Sequence, residues 1–156
     1  MTTRHLILAA AASAAVGAIV APGAGARAAC TAGVRTIGDA PARVFCGPAT
    51  ATVQLGARTY RFAEGACLTG AQFTVNIGTK TFSPSSKLAY FGLVVEGQHD
   101  GRYTGKAVLF GFDSGKVHAS LSTTRPATVV LHGGLHRGSF AGRDLLGRPL
   151  RGSFRC

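Results

Sequence analysis

From Cys46 to the C-terminus, short segments alternate between apolar and polar residues, and turn residues separate these segments every eight to twelve positions. The segments are rich in Val, Thr, Phe, Tyr and Leu, and their period of two is typical of β-strands with one buried face. No segment is convincing as an amphipathic helix. The pattern predicts an all-β domain, a single antiparallel β-sandwich of eight or nine strands.

The first predicted hairpin joins strands at residues 50–55 and 58–62 and has its turn at Gly56-Ala57. A two-residue turn there pairs Leu55 with Arg58 and Val53 with Tyr60. In this register the two faces differ in polarity: one carries Ala51, Val53, Leu55, Tyr60 and Phe62, and the other carries Thr52, Gln54, Thr59 and Arg61. A shift by one residue would mix the two sets, so the register is well determined.

The remaining strands follow the same alternation. We predict them at residues 73–77, 90–96, 103–112, 117–121, 128–132, 135–140 and 149–156, with turns at Asp100-Gly101 and Gly133-Gly134. A short echo, Arg-Gly-Ser-Phe, begins at Arg137 and again at Arg151. Two copies are too few for a repeat array. We interpret them as packing, in which each Phe points inward and each Gly allows close approach.

The N-terminal residues have the organisation of a secretory signal peptide. Arg4 precedes an uninterrupted run of apolar and small residues at 6–20, and Ala26-Arg27-Ala28 places small residues at both positions that a signal peptidase reads. We therefore expect residues 1–28 to be removed and the mature chain to begin at Ala29. The apolar run is shorter than the roughly 20 residues that span a bilayer, and no second run follows, so no membrane span is expected.

The mature chain has the length of one domain. Residues 29–45 lack a strong period and are predicted to form a loosely ordered N-terminal arm before the β-sandwich domain at residues 46–156. Cleavage before Cys30 with lipid attachment is an alternative, because Ala28-Ala29-Cys30 fits such a site. Arg27 stands where that motif needs Leu, so a lipid anchor at Cys30 is not expected. We expect a secreted protein, extracellular or loosely associated with the cell wall.

Four cysteines are present: Cys30, Cys46, Cys67 and Cys156. An even number of cysteines in an exported chain predicts two disulfides. Attachment of a lipid to Cys30 would leave one of the other three without a partner. Thiol catalysis is not expected of cysteines that are oxidised in pairs.

The chain is basic. Seventeen Lys and Arg residues against six Asp and Glu residues give a net charge of +11, which falls to +9 when Arg4 and Arg27 leave with the signal peptide. Five arginines fall in the last twenty residues beside a single acid, Asp144: Arg137, Arg143, Arg148, Arg151 and Arg155. If the C-terminal strands are adjacent, these arginines form a positive face that attracts polyanions. The other interpretation is a basic exterior that only keeps the protein soluble.

No group of residues has the spacing that a known catalytic or metal site requires. The segment from His132 to His136 has the spacing of a helical metal-binding pair, but Gly133-Gly134 argues against a helix. In a hairpin with its turn at these glycines, His132 pairs with Leu135 and the two imidazoles lie on opposite faces. We therefore expect no metal and no cofactor. Nucleic acid is not an expected partner, because no basic run is interleaved with stacking aromatic residues.

A hydrolase is the least favoured function. Ser139, His99, His118, Asp100 and Asp113 could be combined into a triad on paper. No Gly-x-Ser-x-Gly motif occurs to present a serine nucleophile, so we expect a protein that is not an enzyme.

Several motifs carry a resemblance to a known group of proteins: Cys46-Gly47-Pro48-Ala49-Thr50-Ala51-Thr52-Val53, Arg58-Thr59-Tyr60-Arg61-Phe62, Gly65-Ala66-Cys67 and Gly152-Ser153-Phe154-Arg155-Cys156. In its placement of strands, turns and cysteines, the chain resembles small exported β-domain proteins of actinobacteria and, more distantly, the mycobacterial lipoprotein antigen family. The resemblance implies a surface-associated domain with no established catalysis. In that family a cysteine that closes an early hairpin pairs with the last cysteine, which implies a Cys67–Cys156 bridge here. We predict a Cys30–Cys46 bridge beside it, and a Cys46–Cys67 bridge would contradict both.

Two hypotheses about function follow. The first is a structural or interaction module of the cell envelope or medium, which contacts an anionic wall polymer or a surface protein through the five C-terminal arginines. The alternative is a carrier of a small apolar ligand, held in a cleft of the sandwich. Its candidate lining residues are Tyr90, Phe91, Tyr103, Phe110 and Phe112, although aromatic residues in a β-sandwich more often fill the core. The sequence does not indicate an oligomeric state.

Overall fold

Alternating apolar and polar residues form β-strands throughout the residues that the structure, a computed structural model, describes. These are residues 29–81, 88–104, 108–114, 118–121 and 127–156, with only the backbone described at 108–114 and 118–121. The predicted signal peptide, residues 1–28, lies outside these ranges. The described residues form these strands: β1 (Gly33–Ile37), β2 (Ala40–Val44), β3 (Ala49–Leu55), β4 (Arg58–Leu68), β5 (Phe73–Thr81), β6 (Ala89–Val95), β7 (Gly101–Thr104), β8 (Val108–Ser114), β9 (His118–Leu121), β10 (Thr128–His132), β11 (Arg137–Arg143) and β12 (Pro149–Arg155).

All the pairs of neighbouring strands are antiparallel and belong to one continuous sheet. The hydrogen-bonded order is β7-β10-β11-β12-β3-β4-β5-β6-β8-β9, with the β1–β2 hairpin attached to β5 through β2. The prediction of an all-β antiparallel fold with two disulfides is confirmed. The strand number is higher than predicted because the N-terminal arm adds β1 and β2, and because the predicted strand at 103–112 is replaced by β7 and β8.

The sheet curls, because β7 and β8 stand near opposite ends of the strand order and yet follow each other in the chain. Thr104 ends β7 and Val108 begins β8, so the chain can separate these ends of the sheet by no more than about 14 Å. Aromatic contacts cross the interior: the rings of Phe73 and Phe154 lie 5.8 Å apart, and those of Phe91 and Phe140 lie 5.6 Å apart. The predicted packing of two sheets is thus achieved by two parts of one curled sheet.

The interior is filled by large apolar side chains. The largest that are fully buried are Phe73, Phe91, Phe154, Ile77, Leu93, Leu131, Leu150, Val53, Val75, Val95 and Val129. They come from strands with alternating burial, as the period-two pattern predicts. In the first hairpin the predicted register is confirmed, because Leu55 pairs with Arg58 and Val53 with Tyr60.

The Arg-Gly-Ser-Phe echo is explained by the pairing of β11 with β12. Gly138 lies opposite Phe154, and Phe140 lies opposite Gly152. Both phenylalanines are buried, and a Cβ atom at either glycine would overlap with the phenylalanine ring of the neighbouring strand. The interpretation of the echo as packing is confirmed: each ring occupies the space that the facing glycine leaves free.

The N-terminal arm is more ordered than predicted. β1 and β2 form a hairpin, and β2 pairs with β5, where Ala42 lies opposite Thr81. Ala42 and Val44 are buried, which explains why the arm is attached. The sequence pattern did not predict β1, because that strand is exposed along almost its whole length and has no apolar face.

The two disulfides have the predicted connectivity, Cys30–Cys46 and Cys67–Cys156. The first fastens the start of the arm, and the second joins β4 to the residue that follows β12. Two disulfides indicate an oxidising, extracytoplasmic environment. Because the Cys30 sulfur is bonded to Cys46, the bridge and a lipid on Cys30 exclude each other. None of the residues that the structure describes belongs to a helix long and apolar enough to cross a membrane.

Candidate functional site

The outer surface of five neighbouring strands is the candidate site. β7, β10, β11, β12 and β3 follow one another in the sheet, and none of them contains an Asp or Glu residue. Their alternate residues face outward because the residues between them are buried in the core. With the next strand, β4, this surface carries the exposed residues Arg61, Arg102, Arg137, Arg151 and Arg155, which we call the arginine face, and Arg143 lies exposed at its end.

The strand registers place the outward side chains in rows across the sheet. One row begins at Arg102, continues through small and medium-sized residues and ends at Arg61: Arg102, Val130, Ser139, Ser153, Thr52, Arg61. At about 4.8 Å between neighbouring strands, the row spans about 24 Å along the sheet. The next row carries Arg151 near its middle: Thr104, Thr128, Ala141, Arg151, Gln54, Thr59.

A shallow depression of about 570 Å³ lies over these two rows. Its floor consists mainly of short side chains, and Arg102 and Arg151 are its charged residues. The lining residues are Thr52, Gln54, Thr59, Arg102, Thr128, Val130, Ser139, Phe140, Ala141, Arg151, Gly152 and Ser153. Short floor residues beside long arginines explain the depression. It presents guanidinium groups, hydroxyl groups and one amide, and the Gln54 amide oxygen accepts a hydrogen bond from Arg151 Nε at 2.7 Å.

Three of the five predicted polyanion-binding arginines lie together on this face. Arg137 pairs directly with Arg155 across β11 and β12, and Arg151 lies on the same side of β12 as Arg155. All three are exposed. Like charges opposite each other in a sheet repel, so this pair favours a bound anion between or above the two guanidinium groups.

The other two predicted arginines lie at the end of this surface, in and beside the connection between β11 and β12. Arg143 donates a hydrogen bond from Nη1 to the Gly147 carbonyl at 2.8 Å. Arg148 forms an ion pair with Asp144, with its Nε 2.6 Å from Asp144 Oδ2. The charge of Arg148 is therefore largely compensated within the protein, which separates it from the arginine face.

Asp144 is the one buried charged residue among the described side chains, with 1% of its surface exposed. Its Oδ1 accepts hydrogen bonds from the N–H groups of Leu146 and Arg148, and its Oδ2 binds the Arg148 guanidinium. Burial acts to raise the pKa of Asp144, but the hydrogen bonds and charge of Arg148, with the Leu146 N–H, lower it below its ordinary value. A buried charge with all these partners fixes the connection in one conformation.

The lowered pKa of Asp144 predicts a loss of stability in acid. Asp144 has a lower pKa in the folded chain than its ordinary value of about 3.9 in the unfolded chain. At pH values between these two, the unfolded chain binds more protons than the folded chain does. The free energy of unfolding therefore falls as the pH drops below about 5. Asp144→Asn is expected to lower the free energy of unfolding at pH 7 by about 2 kcal/mol, the range for hydrogen bonds to a charged group, and to flatten its dependence on pH. Urea unfolding between pH 2 and pH 7 measures both effects. Glu96→Gln, at an exposed carboxyl, is the control and should leave the wild-type profile unchanged.

The prediction of a two-residue turn at Gly133-Gly134 is wrong, because the turn extends two residues further toward the C-terminus. His132 pairs with Arg137 rather than with Leu135, so the turn has four residues. Gly133, Gly134 and Leu135 all have φ near +70°. Asp100 explains this conformation, because its carboxylate accepts hydrogen bonds from the Gly134 and Leu135 N–H groups, both at 2.9 Å.

The same two hydrogen bonds, with a smaller contribution from the charge of His132, lower the pKa of Asp100. Asp100 therefore has a structural role in the turn. The sequence analysis considered a hydrolase triad with Ser139 as the nucleophile. Ser139 lies in the middle of the arginine face. The structure does not describe the side chains of His118 and Asp113. Among the described residues, no three His, Cys, Asp or Glu side chains come together as a metal site.

Three of the five aromatic residues proposed to line an apolar cleft have described side chains: Tyr90, Phe91 and Tyr103. Phe91 is fully buried and packs against Phe62 and Phe140. Tyr103 is half-buried and donates a hydrogen bond to the His99 carbonyl, and Tyr90 donates one to Asn76 Oδ1 at 2.8 Å. Burial raises the pKa of Tyr90. The side chains of Phe110 and Phe112 are not among those described.

Sequence reasoning missed half of the charged residues of the depression. Arg102 lies on β7, which the pattern merged with the following strand, and its neighbours on β10 are more than twenty residues away in the chain. The sequence predicted that Arg61 and the hydroxyl residues of β3 lie on a polar face, and this prediction is confirmed. It did not predict that this face lies beside the C-terminal strands. A signal did exist: β7, β10, β11, β12 and β3 all lack acidic residues.

Comparisons with protein-family models, with curated proteins and with solved structures gave no match to this chain.

Proposed function

We propose that this protein is an exported, non-catalytic binding module that holds an anionic cell-wall polymer on its arginine face. The observation that carries the proposal is the depression that contains Arg102 and Arg151, because its lining residues include these two arginines and no carboxylate. A surface that only kept the protein soluble would need no such segregation, because mixed charges serve that purpose equally well.

The chemistry of the face suits phosphate or carboxylate groups. Guanidinium groups bind both kinds of anion through paired N–H donors, and they do so better than lysine does. Between Arg102 and Arg61, the row contains three hydroxyl residues, Ser139, Ser153 and Thr52. Their hydroxyl groups can donate further hydrogen bonds to the anions or to sugar hydroxyls.

The shape of the face suits a polymer better than a compact ligand. The depression is shallow and open, whereas sites for small molecules enclose most of the ligand surface. The row from Arg102 to Arg61 extends about 24 Å, the length of several repeating units of a phosphate-containing chain. Arg137 and Arg155 extend the positive surface along the strands beyond the depression.

The proposal is tested with Arg102→Ser/Arg151→Ser. A basic side chain near an anionic surface contributes about 1 kcal/mol, so the affinity for a linear polyphosphate, measured by fluorescence anisotropy at low salt, should fall about 10- to 30-fold. Wild-type affinity should itself decrease steeply as salt is added, and the double variant should show a smaller dependence on salt. Both residues are exposed, so the thermal midpoint should stay within the range of ordinary surface substitutions.

The matched control is Arg35→Ser/Arg43→Ser, which removes the same charge from exposed positions on the N-terminal hairpin. It should reduce the affinity by less than threefold. Equal losses in the two double variants would mean that only net charge matters, and the arginine face would then have no special role.

A further inference from the structure

The connection between β11 and β12, residues 144–148, exposes two adjacent leucines at one end of the sheet. Leu145 has 56% and Leu146 has 77% of its surface exposed, and Leu146 is the most exposed of the large apolar side chains described. We call residues 144–148 the leucine tip. Exposure of two neighbouring leucines to water is unfavourable, since transfer of each side chain to an apolar environment lowers the free energy.

The conformation of the tip is held by polar groups beneath it. Asp144, which is buried, binds the N–H groups of Leu146 and Arg148, and the Asp144 carbonyl accepts a hydrogen bond from the Gly147 N–H at 2.9 Å. The Asp144 N–H donates to the Arg148 carbonyl at 3.0 Å. The leucines are therefore presented outward by a fixed loop, with little conformational entropy left to lose when they bind.

Among the residues that the structure describes, the charged groups at the surface around the tip are positive. Arg143 and Arg148 flank the leucines, and the Asp144 carboxylate lies buried below them. The turn between β3 and β4 is next to the tip, because the Gly56 N–H donates to the Pro149 carbonyl at 3.0 Å, and this turn leads into the exposed Arg58. Since Arg148 is compensated by Asp144, Arg143 and Arg58 supply the net positive charge.

We infer that the leucine tip inserts into the interface of an anionic lipid bilayer. Apolar side chains at the end of a fixed loop, with arginines behind them, match a surface whose interior is apolar and whose headgroups are negative. A stable protein partner needs about 800 Å² on each side, far more than two leucines present. The inference is independent of the polymer proposal, because it rests on the end of the sheet rather than on the arginine face.

The test is Leu145→Ser/Leu146→Ser in a vesicle co-sedimentation assay. All proteins are produced by secretion, and intact mass verifies that they share one N-terminus. The partition coefficient onto vesicles of equal parts phosphatidylglycerol and phosphatidylcholine should fall at least 10-fold relative to wild type, because the burial of two leucines is lost. Binding of wild type to vesicles of phosphatidylcholine alone should be much weaker. Polyphosphate affinity should be unchanged, which separates this test from that of the arginine face.

The control is Leu68→Ser, which replaces a leucine of matched exposure, 57%, at the opposite end of β4 from the Arg58 turn. It should change the partition coefficient by less than twofold. A loss equal to that of the tip variant would overturn the inference, since any exposed leucine would then suffice. So would self-association of wild type that the tip substitutions abolish, because a second copy of the chain would then be the partner.

A second variant tests insertion directly. The chain contains no tryptophan, so Leu146→Trp introduces a single reporter that keeps the tip apolar. Its emission should shift to shorter wavelength on anionic vesicles, and lipids brominated on their acyl chains should quench it. Emission that is unchanged by anionic vesicles would overturn the inference even if the protein sediments with them, because binding would then occur through charge alone.

Discussion

Replacing Cys67 and Cys156 with alanine is expected to lower the free energy of unfolding by about 4 to 5 kcal/mol. The bridge joins residues separated by 89 positions, and in the chain-entropy account a bridge limits the unfolded chain more when its loop is longer. The bridge also joins β4, which is central in the sheet, to the residue that follows the last strand. Urea unfolding followed by circular dichroism, with linear extrapolation to zero denaturant, measures the loss.

The Cys30→Ala/Cys46→Ala variant provides the comparison, because it removes a bridge between residues only 16 positions apart. The same account gives a loss of about 3 kcal/mol for that loop, so the first variant should be less stable than the second by about 1.5 kcal/mol. The reverse order would show that the N-terminal arm contributes more to stability than closure of the large loop does. Non-reducing peptide mapping of the wild type checks the two pairings directly.

Local alternation predicted those parts of the fold in which strands neighbouring in sequence are also neighbours in space. The hairpin at Gly56-Ala57 is the clearest case, because one residue of slip would have placed Val53 and Leu55 in water. The Gly138–Phe154 and Phe140–Gly152 pairs are another, since both strands are close in sequence and carry the same motif.

Pairing between distant segments could not be predicted in this way. The apolar alternation of residues 103–112 fits a strand equally well whether its partner is β6 or β10, and the structure divides the segment between them. The turn after His132 depends on Asp100, more than thirty residues earlier, so its four-residue form has no local signal. In both cases the structure is decided by a partner that is distant in the sequence.

The candidate site follows the same division. The exposure of Arg151 and Arg155 follows from alternation with Gly152 and Phe154, and the structure agrees. Arg148 was grouped with them by proximity in sequence, but a buried carboxylate four residues away holds it. Arg102 completes the depression and was missed, because only the pairing of β7 with β10 brings it near Ser139.

The β11–β12 hairpin is central to both proposals. Its outward residues include three arginines of the arginine face, and its connecting loop is the leucine tip. Its inward residues include Phe140, Leu150 and Phe154, which are buried in the core. Loss of core packing in this hairpin would therefore disturb both candidate surfaces, so the stability of each variant has to be known before its binding is compared.

Phe154→Ala is expected to lower the free energy of unfolding by about 3 to 5 kcal/mol, because a buried aromatic ring leaves both lost contacts and a cavity behind. The ring is 2% exposed, lies 5.8 Å from that of Phe73 on the other side of the interior, and covers the backbone at Gly138. The glycine makes this position unusually sensitive, since Gly138 has no side chain that could move into the space. Urea unfolding followed by circular dichroism gives the free energy of unfolding for wild type and variant.

Two further substitutions show whether packing is the cause. Phe154→Leu retains much of the apolar volume and should lose less than half as much as Phe154→Ala. Val34→Ala, at a side chain that is 65% exposed on β1, removes apolar atoms outside the core and should change the free energy of unfolding by less than about 0.5 kcal/mol. A loss below about 1 kcal/mol for Phe154→Ala would contradict the packing of β12 against β5, and with it the curled form of the sheet that this contact across the interior supports.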